Sequence, residues 1–443
     1  MNYPIWEVPM LGGGMLIGII AILHVFVSHF AIGGGLYLVL TEIQARKTND
    51  PDMLDFARKH STFFILVVLV FGAVSGVGIW WTIALVNPTA VSTLIHVFVW
   101  VWAIEWVFFL VELIAAIIYY YGWERMDPAT HIKVGWIYVV SAWLSLFMIN
   151  GILTFMLTPG RWIETQSVAD GFFNPTMIPS AILRTAVCVA LAGLYALITG
   201  TLIRNDEARA RIVRWSAKWV MGGIAVLPLA GFWYVAQLPP MAREISMGGA
   251  PVVTLFAAGS ILFSALVVGG AFIGPYLFPK HVHVTYAFGL AIMGLMATGV
   301  TEWVREAVRK PYIIYDYMYS NTLRVKDLGE YSMSGLLTNA KWERPTEADT
   351  KSQVRVGRRV FRAQCMACHT VNGFNGMRFA VKGWGREFLD HQILYLNELK
   401  GFMPPFIGTD EERAALVEYL LTLNDTEQES DVAAAPAEQK GGL

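Results

Sequence analysis

The chain has 443 residues, of which 55% are hydrophobic and only 15% are charged. Soluble domains carry a charge on about a quarter of their residues, so this composition excludes an ordinary soluble protein and predicts one that is embedded in a lipid bilayer. The net charge is −1, and the lysines and arginines form no long basic cluster, so we expect no nucleic-acid partner.

Eight apolar runs follow one another along the first part of the chain. Each is long enough to cross the hydrocarbon core as a helix, which takes about 20 residues. The runs therefore predict an all-α, polytopic membrane helix bundle of about eight transmembrane helices, numbered here in chain order. They cover roughly residues 11–41, 62–86, 92–121, 133–157, 180–203, 215–238, 251–278 and 282–305.

Lysine and arginine concentrate in every second loop between these runs. The loops after helices 1, 3, 5 and 7 carry most of them, whereas the loop after helix 2 carries none. Basic residues in short loops favour the cytoplasm, so we expect a multi-pass protein of a bacterial inner (cytoplasmic) membrane. Its N-terminus and the segment after helix 8 are expected on the periplasmic side.

Two carboxylates interrupt the third apolar run. Glu105 and Glu112 are seven residues apart, which places them on one face of the helix, two turns from each other. Ionisable groups inside a membrane are costly and mark ion or proton paths, so we interpret the pair as a proton relay to a buried redox centre. The alternative is that both form structural hydrogen bonds within the bundle.

Histidines in the membrane runs are candidate haem ligands. His24 has no polar neighbour in its own turn, so its imidazole needs a partner, and haem iron is a reasonable one. His29 and His96 are either further ligands or residues that pack between helices. The other membrane-region histidines are expected to be ordinary residues of cytoplasmic loops: His60, His131, His281 and His283.

A pattern for covalent haem attachment stands in the C-terminal part of the chain. Cys365, Cys368 and His369 have the order in which two thiols bind haem covalently and an imidazole ligates its iron. Met403, in Gly-Phe-Met-Pro-Pro, is the expected second iron ligand, although a core methionine would fit the same pattern. His391 is an alternative second ligand or an ordinary surface residue.

Helical patterns flank this motif. Residues 356–364 run into it as a helix, and 411–420 form a capped amphipathic pattern that can pack against that helix around Phe361. Together these features resemble class I cytochrome c, which implies a small C-terminal all-α cytochrome c domain with one covalent haem c. We expect a membrane haem domain over 1–310, an extramembrane linker over 311–350, the cytochrome c domain over 351–425 and a disordered tail over 426–443.

The membrane part resembles subunit I of the cytochrome bd quinol oxidase superfamily through sparse motifs in the family's order. The motifs are His24, Ala103-Ile104-Glu105 with Glu112, residues 121–125, Asn150-Gly151 and residues 306–312. The resemblance implies that His24 ligates a high-spin haem and that Glu306 ligates haem, with Arg309 beside it as a haem-binding residue. The family's two helix 3 glutamates are eight residues apart rather than seven, so the role of Glu112 departs from the pattern.

Other departures concern the family's second haem and its quinol site. Arg184 stands where helix 5 of the family provides a histidine to a low-spin haem, and 257–260 lack the partner methionine. The loop that binds quinol in the family is reduced to about a dozen residues around 239–244. We therefore expect that the low-spin haem and the quinol site are lost and that the cytochrome c domain is the electron port. Arg184 is expected to pair with a haem propionate or with a helix 8 carboxylate.

Two functions fit these features. In the first, electrons from a periplasmic cytochrome or redox enzyme enter at haem c and pass to one or two non-covalent haems, of type b or d, where oxygen is reduced. The chain is then a cytochrome c-linked oxygen reductase. In the second, it is a non-catalytic wiring subunit with six-coordinate haems. The resemblance implies a second bd-oxidase-like membrane subunit as partner, and a homodimer is the alternative.

Overall fold

The computed structural model describes residues 5–340 and 343–424 of the chain. The helices group into two compact units. The membrane unit consists of Gly18–Trp81 and Leu94–Arg309. The C-terminal unit combines the N-terminal residues up to Ile17, the connection Thr82–Thr93 and the chain from Lys310 onward. The tail predicted as disordered over 426–443 lies outside the described residues.

Within the described residues, eight helices are long and apolar enough to span a membrane. They confirm the predicted all-α bundle, and the chain is a multi-pass membrane protein. The helices are α1 (Gly13–Lys47), α2 (Pro51–Val86), α3 (Val99–Gly122), α4 (Pro128–Phe155), α5 (Met177–Gly200), α6 (Asp206–Ala236), α7 (Pro251–Leu277) and α8 (Val284–Ala307).

Short elements interrupt or connect these spans. The backbone of Phe98 leaves the helical region, with φ −117° and ψ 30°, so the third predicted run is divided into a short helix and α3. Turns of π-helix lie within α2 (Leu66–Gly72), after Pro240–Glu244 (Ile245–Gly249) and at the end of α7 (Phe272–Leu277). The short connecting helices are Pro88–Val97, Trp162–Thr165, Val168–Phe172, Pro240–Glu244 and the 3-10 turn Pro279–His281.

Three spans, α2, α4 and α6, begin well before their apolar runs, because a side chain caps the first turn. Asp50 accepts a hydrogen bond from the Met53 amide at 3.1 Å, and Pro51 occupies the first helical position. Asp127 caps α4 in the same way, ahead of Pro128. An acceptor followed by proline is a typical helix start, so polar stretches predicted as loops form the first turns of α2 and α4.

Helices α1 and α5 cross in direct backbone contact at Gly33. A β-carbon at this position would lie 1.9 Å from the carbonyl oxygen of Cys188, so only glycine fits. Cys188 is buried and forms no disulfide, which is typical of a small apolar core residue. The crossing fixes α1, the helix that carries His24, against the rest of the membrane unit.

The four loops rich in lysine and arginine lie at one end of the membrane unit. Three ion pairs join them: Arg58 with Glu124, Arg211 with Asp50 at 3.0 Å, and Lys280 with Glu207. The pairs connect the chain around the α1–α2, α3–α4, α5–α6 and α7–α8 turns. This end is named here the basic side, and the positive-inside tendency predicts that it is cytoplasmic.

The C-terminal unit has a helical core around the Cys-x-x-Cys-His motif. Its main helices are α9 (Gln353–Gln364), α10 (Arg386–Leu394) and α11 (Asp410–Thr422). Phe361 of α9 packs against Tyr419 of α11 with ring centres 5.5 Å apart. Thr409 and Glu412 form a capping box at the start of α11. The structure thus confirms the predicted packing of these two helices.

The segment 311–350, predicted as a linker, carries secondary structure of its own. Its elements are strands β1 (Tyr312–Ile314) and β2 (Met318–Tyr319) and the helical turns Val325–Asp327, Leu328–Ser334, Leu336–Asn339 and Glu347–Thr350. The amides of Leu336 and Leu337 donate to the Glu412 carboxylate at 2.8 Å each. Both leucines are buried in the same apolar core as Phe361. We therefore propose that this segment belongs to the cytochrome c domain. Two further short helices of this unit are Met377–Ala380 and Leu396–Leu399.

The N-terminus and the α2–α3 connection belong to the C-terminal unit as well. Glu7 forms an ion pair with Arg362 of α9 at 2.8 Å, and the Trp6 amide donates to the Leu85 carbonyl at 2.9 Å. The N-terminus, this connection and the chain after α8 therefore lie together, as an even number of spans requires. That they lie on the periplasmic side stays a prediction.

Candidate haem sites and a buried polar ladder

The covalent-attachment motif continues directly from α9. The Cys365 amide donates to the Phe361 carbonyl at 2.8 Å, and the His369 amide donates to the Cys365 carbonyl at 2.9 Å. This winding brings both thiols and the imidazole onto adjacent turns. Neither Cys365 nor Cys368 is in a disulfide, and burial raises the pKa of the Cys365 thiol to about 12. Both sulfurs are thus available for thioether bonds.

The orientation of His369 suits an iron ligand. Its Nδ1 lies 3.1 Å from the Asn375 carbonyl, and the Asn375 side chain donates to the Cys368 carbonyl at 2.8 Å. A carbonyl acceptor fixes the proton on Nδ1 and leaves Nε2 for a metal. Burial lowers the pKa of His369, which favours the neutral imidazole that ligation requires. These residues fit a covalently bound haem.

Hydrogen bonds hold the loop that carries Met403 beside this motif. Gln364, the last residue of α9, exchanges hydrogen bonds with the backbone of Ile407: its side-chain amide donates to the carbonyl, and its carbonyl oxygen accepts from the amide at 3.1 Å. The loop from 401 to 408 therefore lies next to Cys365. His391, the alternative ligand, is exposed on α10. This arrangement favours Met403 as the second ligand, and the assignment stays a prediction.

His24 is held by a hydroxyl of the neighbouring helix. Its Nδ1 lies 3.0 Å from the Ser75 hydroxyl of α2, and that hydroxyl donates to the Phe71 carbonyl at 2.5 Å. Because the single hydroxyl proton of Ser75 is used on Phe71, the His24 nitrogen must be the donor. The proton then sits on Nδ1, and Nε2 keeps its lone pair. This is the tautomer that a haem ligand needs, so His24 fits the predicted role.

The other two membrane histidines are placed differently. His29 is buried, and its Nδ1 lies 2.8 Å from the Val25 carbonyl of its own helix. Its imidazole interacts electrostatically with Arg184 and Glu302. His96 lies near the end of the helix Pro88–Val97 with an exposed side chain. His29 is thus part of a charged cluster inside the bundle, and the role of His96 as a ligand stays a prediction.

Arg184 pairs with a carboxylate of α8. Its guanidinium lies 3.7 Å from Glu302, which also accepts from Arg305 at 2.8 Å. Of the two partners expected for Arg184, a haem propionate or a helix 8 carboxylate, the described residues provide the second. The position where the bd family has a haem-ligating histidine is therefore engaged in an ion pair between α5 and α8.

Glu306 lies one turn further along α8 and binds Arg309. One guanidinium nitrogen of Arg309 donates to both carboxylate oxygens, at 2.7 and 2.5 Å, and another contacts the Met156 sulfur at 3.3 Å. The side chain of Arg309 is 4% exposed and that of Glu306 is 43% exposed. The arginine is therefore held in place within the protein, and the carboxylate faces outward from the fold, where it could reach a cofactor.

Three pairs of polar groups join α3 to the antiparallel helix α4, and we name them the polar ladder. Each helix provides one member at intervals of seven residues. At about 1.5 Å per residue, successive rungs are about 10 Å apart. The rungs are Glu105 with Ser145, Glu112 with Tyr138, and Tyr119 with His131.

The first two rungs contain the carboxylates predicted from sequence. The Ser145 hydroxyl donates to Glu105 at 2.8 Å. The Tyr138 hydroxyl lies 3.3 Å from Glu112 and donates to the Ala31 carbonyl of α1 at 2.7 Å. Both carboxylates thus lie on one face of α3, as the seven-residue spacing predicts, and this face meets α4. Their function as a proton relay stays a prediction.

The third rung, at the basic side, also includes Glu42 of α1. Glu42 is fully buried and accepts hydrogen bonds from Arg46 at 2.9 and 2.8 Å and from the Tyr119 hydroxyl at 2.9 Å. His131 Nδ1 lies 2.8 Å from the same carboxylate, and its Nε2 lies 2.8 Å from the Tyr119 carbonyl. The sequence prediction contains neither Glu42 nor Tyr119.

The expectation that His60 and His131 are ordinary loop residues is wrong. Both lie within helices and are buried, His60 at 1% and His131 at 2% exposure. The reason is that the capped polar starts of α2 and α4 are helical and pack inward. His60 Nδ1 lies 2.8 Å from the Thr199 hydroxyl of α5. The repeat of polar residues at 131, 138 and 145 is a signal that could have indicated the ladder from sequence.

The sequence model of the cytochrome bd terminal oxidase subunit I family matches residues 15–238, just over half of the chain. The chain belongs to this family. The model of the cytochrome c oxidase, cbb3-type, subunit III family matches residues 352–420. Among solved structures, the bd oxidase from Geobacillus thermodenitrificans is similar in fold, with a TM-score of 0.60 and 14% identity over 69% of this chain and 89% of that one. No curated protein sequence matches.

These matches confirm the two resemblances drawn from sequence. The chain is a bd-type subunit I joined to a cytochrome c domain, and it is a membrane haem protein of electron transport. The family match covers α1 to α6 and so includes His24, Glu105, Glu112 and Arg184. It ends before α7, so the roles of Glu306 and Arg309 rest only on the short motif at the end of α8.

Proposed function

We propose that this bd-type subunit is a cytochrome c-linked oxygen reductase. The observation that supports this most is the polar ladder. Carboxylates inside a membrane are costly and often mark ion or proton paths. A subunit that only wires electrons between carriers does not consume protons, whereas reduction of oxygen to water consumes one proton for each electron.

His24 and Glu306 would each be the single protein ligand of a non-covalent haem, of type b or d, with Arg309 fixing the orientation of Glu306. Haem bound there through a carboxylate would supply an open iron position for oxygen chemistry. Ser75 keeps the His24 imidazole in the tautomer that exposes Nε2. In the C-terminal unit, Cys365, Cys368, His369 and Met403 would hold haem c, and methionine ligation raises its reduction potential.

Glu112 and Glu105 would carry protons to the site of oxygen reduction. Each is hydrogen-bonded to one hydroxyl of α4, Tyr138 and Ser145. A carboxyl group with a hydroxyl neighbour can pass a proton on and accept another without leaving its place in the bundle. The order of the rungs leads from the basic side toward His24, because α1 meets the third rung at Glu42 and the second rung at Ala31.

The electron donor is proposed to be a periplasmic cytochrome or redox enzyme. Only the short helix Pro240–Glu244 and one π-turn lie between α6 and α7, which leaves little room for the quinol-binding loop. The cytochrome c domain provides an electron port instead. Apolar side chains remain exposed along the spans, as on α2 and α7, so we propose lipid and a second bd-oxidase-like subunit, or a second copy of this chain, as neighbours.

Oxygen consumption by the purified protein with an artificial one-electron donor tests this function. We expect turnover in the wild type and a fall of about 100-fold in Glu112→Gln, the range typical of a lost proton-transfer group. Glu124→Gln, an exposed carboxylate at the basic side, is the matched control and should retain full activity. Wild-type protein that is reduced by the donor but consumes no oxygen would instead indicate a wiring subunit.

A further inference from the structure

The third rung of the ladder is a closed buried network. Glu42, from α1, receives hydrogen bonds from Arg46 of its own helix and from the Tyr119 hydroxyl of α3. It also shares a proton with His131 of α4. The carboxylate of Glu42 has no exposed surface, whereas the side chain of Arg46 is 31% exposed. The network is therefore buried between three helices, and the Arg46 side chain alone separates Glu42 from the surface at the basic side.

This network contains one proton that can move. The Nε2 of His131 faces the Tyr119 carbonyl and must donate to it. The Nδ1 faces Glu42 at 2.8 Å, so a proton between them belongs either to an imidazolium beside a carboxylate or to a carboxylic acid beside an imidazole. An arginine–carboxylate pair such as Arg211 with Asp50 has no such alternative, because arginine does not release its proton.

A small cavity separates this network from the second rung. It is lined by Tyr119 and Tyr138 from the two rungs and by Gly35, Ala116 and Gly135. A β-carbon at Gly135 would lie 2.5 Å from Val39 and 2.9 Å from the Tyr119 ring, so glycine allows α4 to pack closely against α1 and α3 beside the cavity. The lining is almost entirely apolar, so water in the cavity would be transient rather than resident.

We propose that Glu42 and His131, with Tyr119, form the proton-uptake site of the ladder at the basic side. A proton from water on that side protonates the pair and then passes across the cavity to Glu112. The inference rests on the proposed function, since only a proton-consuming reaction draws protons along the ladder. Arg46 would keep the carboxylate in place between transfers.

Proton uptake by the protein in sealed vesicles tests this site. A dye in the compartment that faces the basic side reports proton removal after oxygen is mixed with the reduced protein. We expect Glu42→Gln and His131→Gln to slow this uptake at least about tenfold, with reduction by the donor unchanged. Glu124→Gln, on the same side but outside the network, should match the wild type.

Two further variants separate proton transfer from structural support. Tyr119→Phe keeps the ring that stacks on His131 but removes the hydroxyl that donates to Glu42. Gly135→Ala changes no titratable group, but its β-carbon would displace Val39 or the Tyr119 ring beside the cavity. We expect both to slow uptake while haem content stays at the wild-type level. Normal uptake in Glu42→Gln and His131→Gln would overturn the uptake site, and so would an equal loss of haem reduction in these variants.

The proposed function fails in a different way. If Glu42→Gln and His131→Gln take up protons at the wild-type rate while Glu112→Gln does not, the uptake site is wrong and the reductase function stands. If wild-type protein removes no protons on mixing with oxygen, the reductase function itself is wrong.

Discussion

Glu112 and Tyr138 share a contact of 3.3 Å in which the carboxyl group, not the phenol, is better placed to donate. The Tyr138 hydroxyl has a single proton and lies closer to the Ala31 carbonyl, at 2.7 Å. Its lone pairs then face Glu112. A protonated Glu112 can donate to them, whereas a carboxylate would meet only lone pairs. The geometry therefore favours the protonated form of Glu112 in this structure.

Replacing Tyr138 by phenylalanine should impair both the ladder and the local packing. Glu112 loses its acceptor, so oxygen consumption should fall about tenfold or more. The Ala31 carbonyl stays within α1 but loses its hydrogen bond from Tyr138, which should lower the free energy of unfolding by about 1 kcal/mol. Tyr286→Phe, which removes a hydroxyl bonded to the Gly270 carbonyl off the ladder, is the control. Unchanged turnover in Tyr138→Phe would argue against the second rung.

Substitutions at His24 and Ser75 should weaken the binding of non-covalent haem to different extents. His24→Ala should abolish its binding, because the iron ligand is gone. Ser75→Ala keeps the His24 imidazole but removes the hydrogen bond that orients it. Loss of such a supporting hydrogen bond typically weakens metal binding about 10- to 100-fold. Haemochrome spectra give the ratio of non-covalent haem to haem c, with haem c as the internal standard. A His24→Ala protein with a wild-type ratio would rule out this ligand.

The Glu302 carboxylate should matter more for stability than either of its arginines. It lies between Arg184 and Arg305, so Glu302→Leu leaves the buried Arg184 and the partly exposed Arg305 without this carboxylate. We expect a loss of about 3–5 kcal/mol in the free energy of unfolding. Arg184→Leu should cost less, because Glu302 keeps Arg305. Unfolding in detergent measures the order, and Arg211→Ala, at an exposed pair, should cost at most about 1 kcal/mol. The reverse order would contradict the assigned pairing.

Met403 is expected to set the potential of haem c. Met403→Ala removes the thioether ligand that raises the potential relative to nitrogen or water ligation. The midpoint should fall by a few tenths of a volt, within the range of about 0.8 V that axial ligands span. A redox titration followed at the haem c absorbance measures it. His391→Ala is the matched control, and a fall in that variant instead would assign the ligand to His391.

The membrane fold was largely predictable, because a span needs only a long apolar run and a covalent haem needs only Cys-x-x-Cys-His. Helix starts were less so: Asp50 and Asp127 cap polar first turns whose composition is that of loops. The contact between Glu42 and His131 could not be predicted from sequence, since it depends on which helices pack together and in what register. The spacing of Glu105 and Glu112 predicted a common face, and the repeat at 131, 138 and 145 is also readable in the sequence. Only the structure shows that the two repeats pair with each other on antiparallel helices.

The most direct test of the proposed reductase function is the spectrum of the reduced protein with and without carbon monoxide. Haem c with methionine ligation has no free iron position, so any response should come from the non-covalent haem. We predict at least one non-covalent haem that binds carbon monoxide in the wild type and is missing in His24→Ala. Non-covalent haem that ignores carbon monoxide would contradict an open reductase site, and haem c alone would contradict a membrane haem at His24.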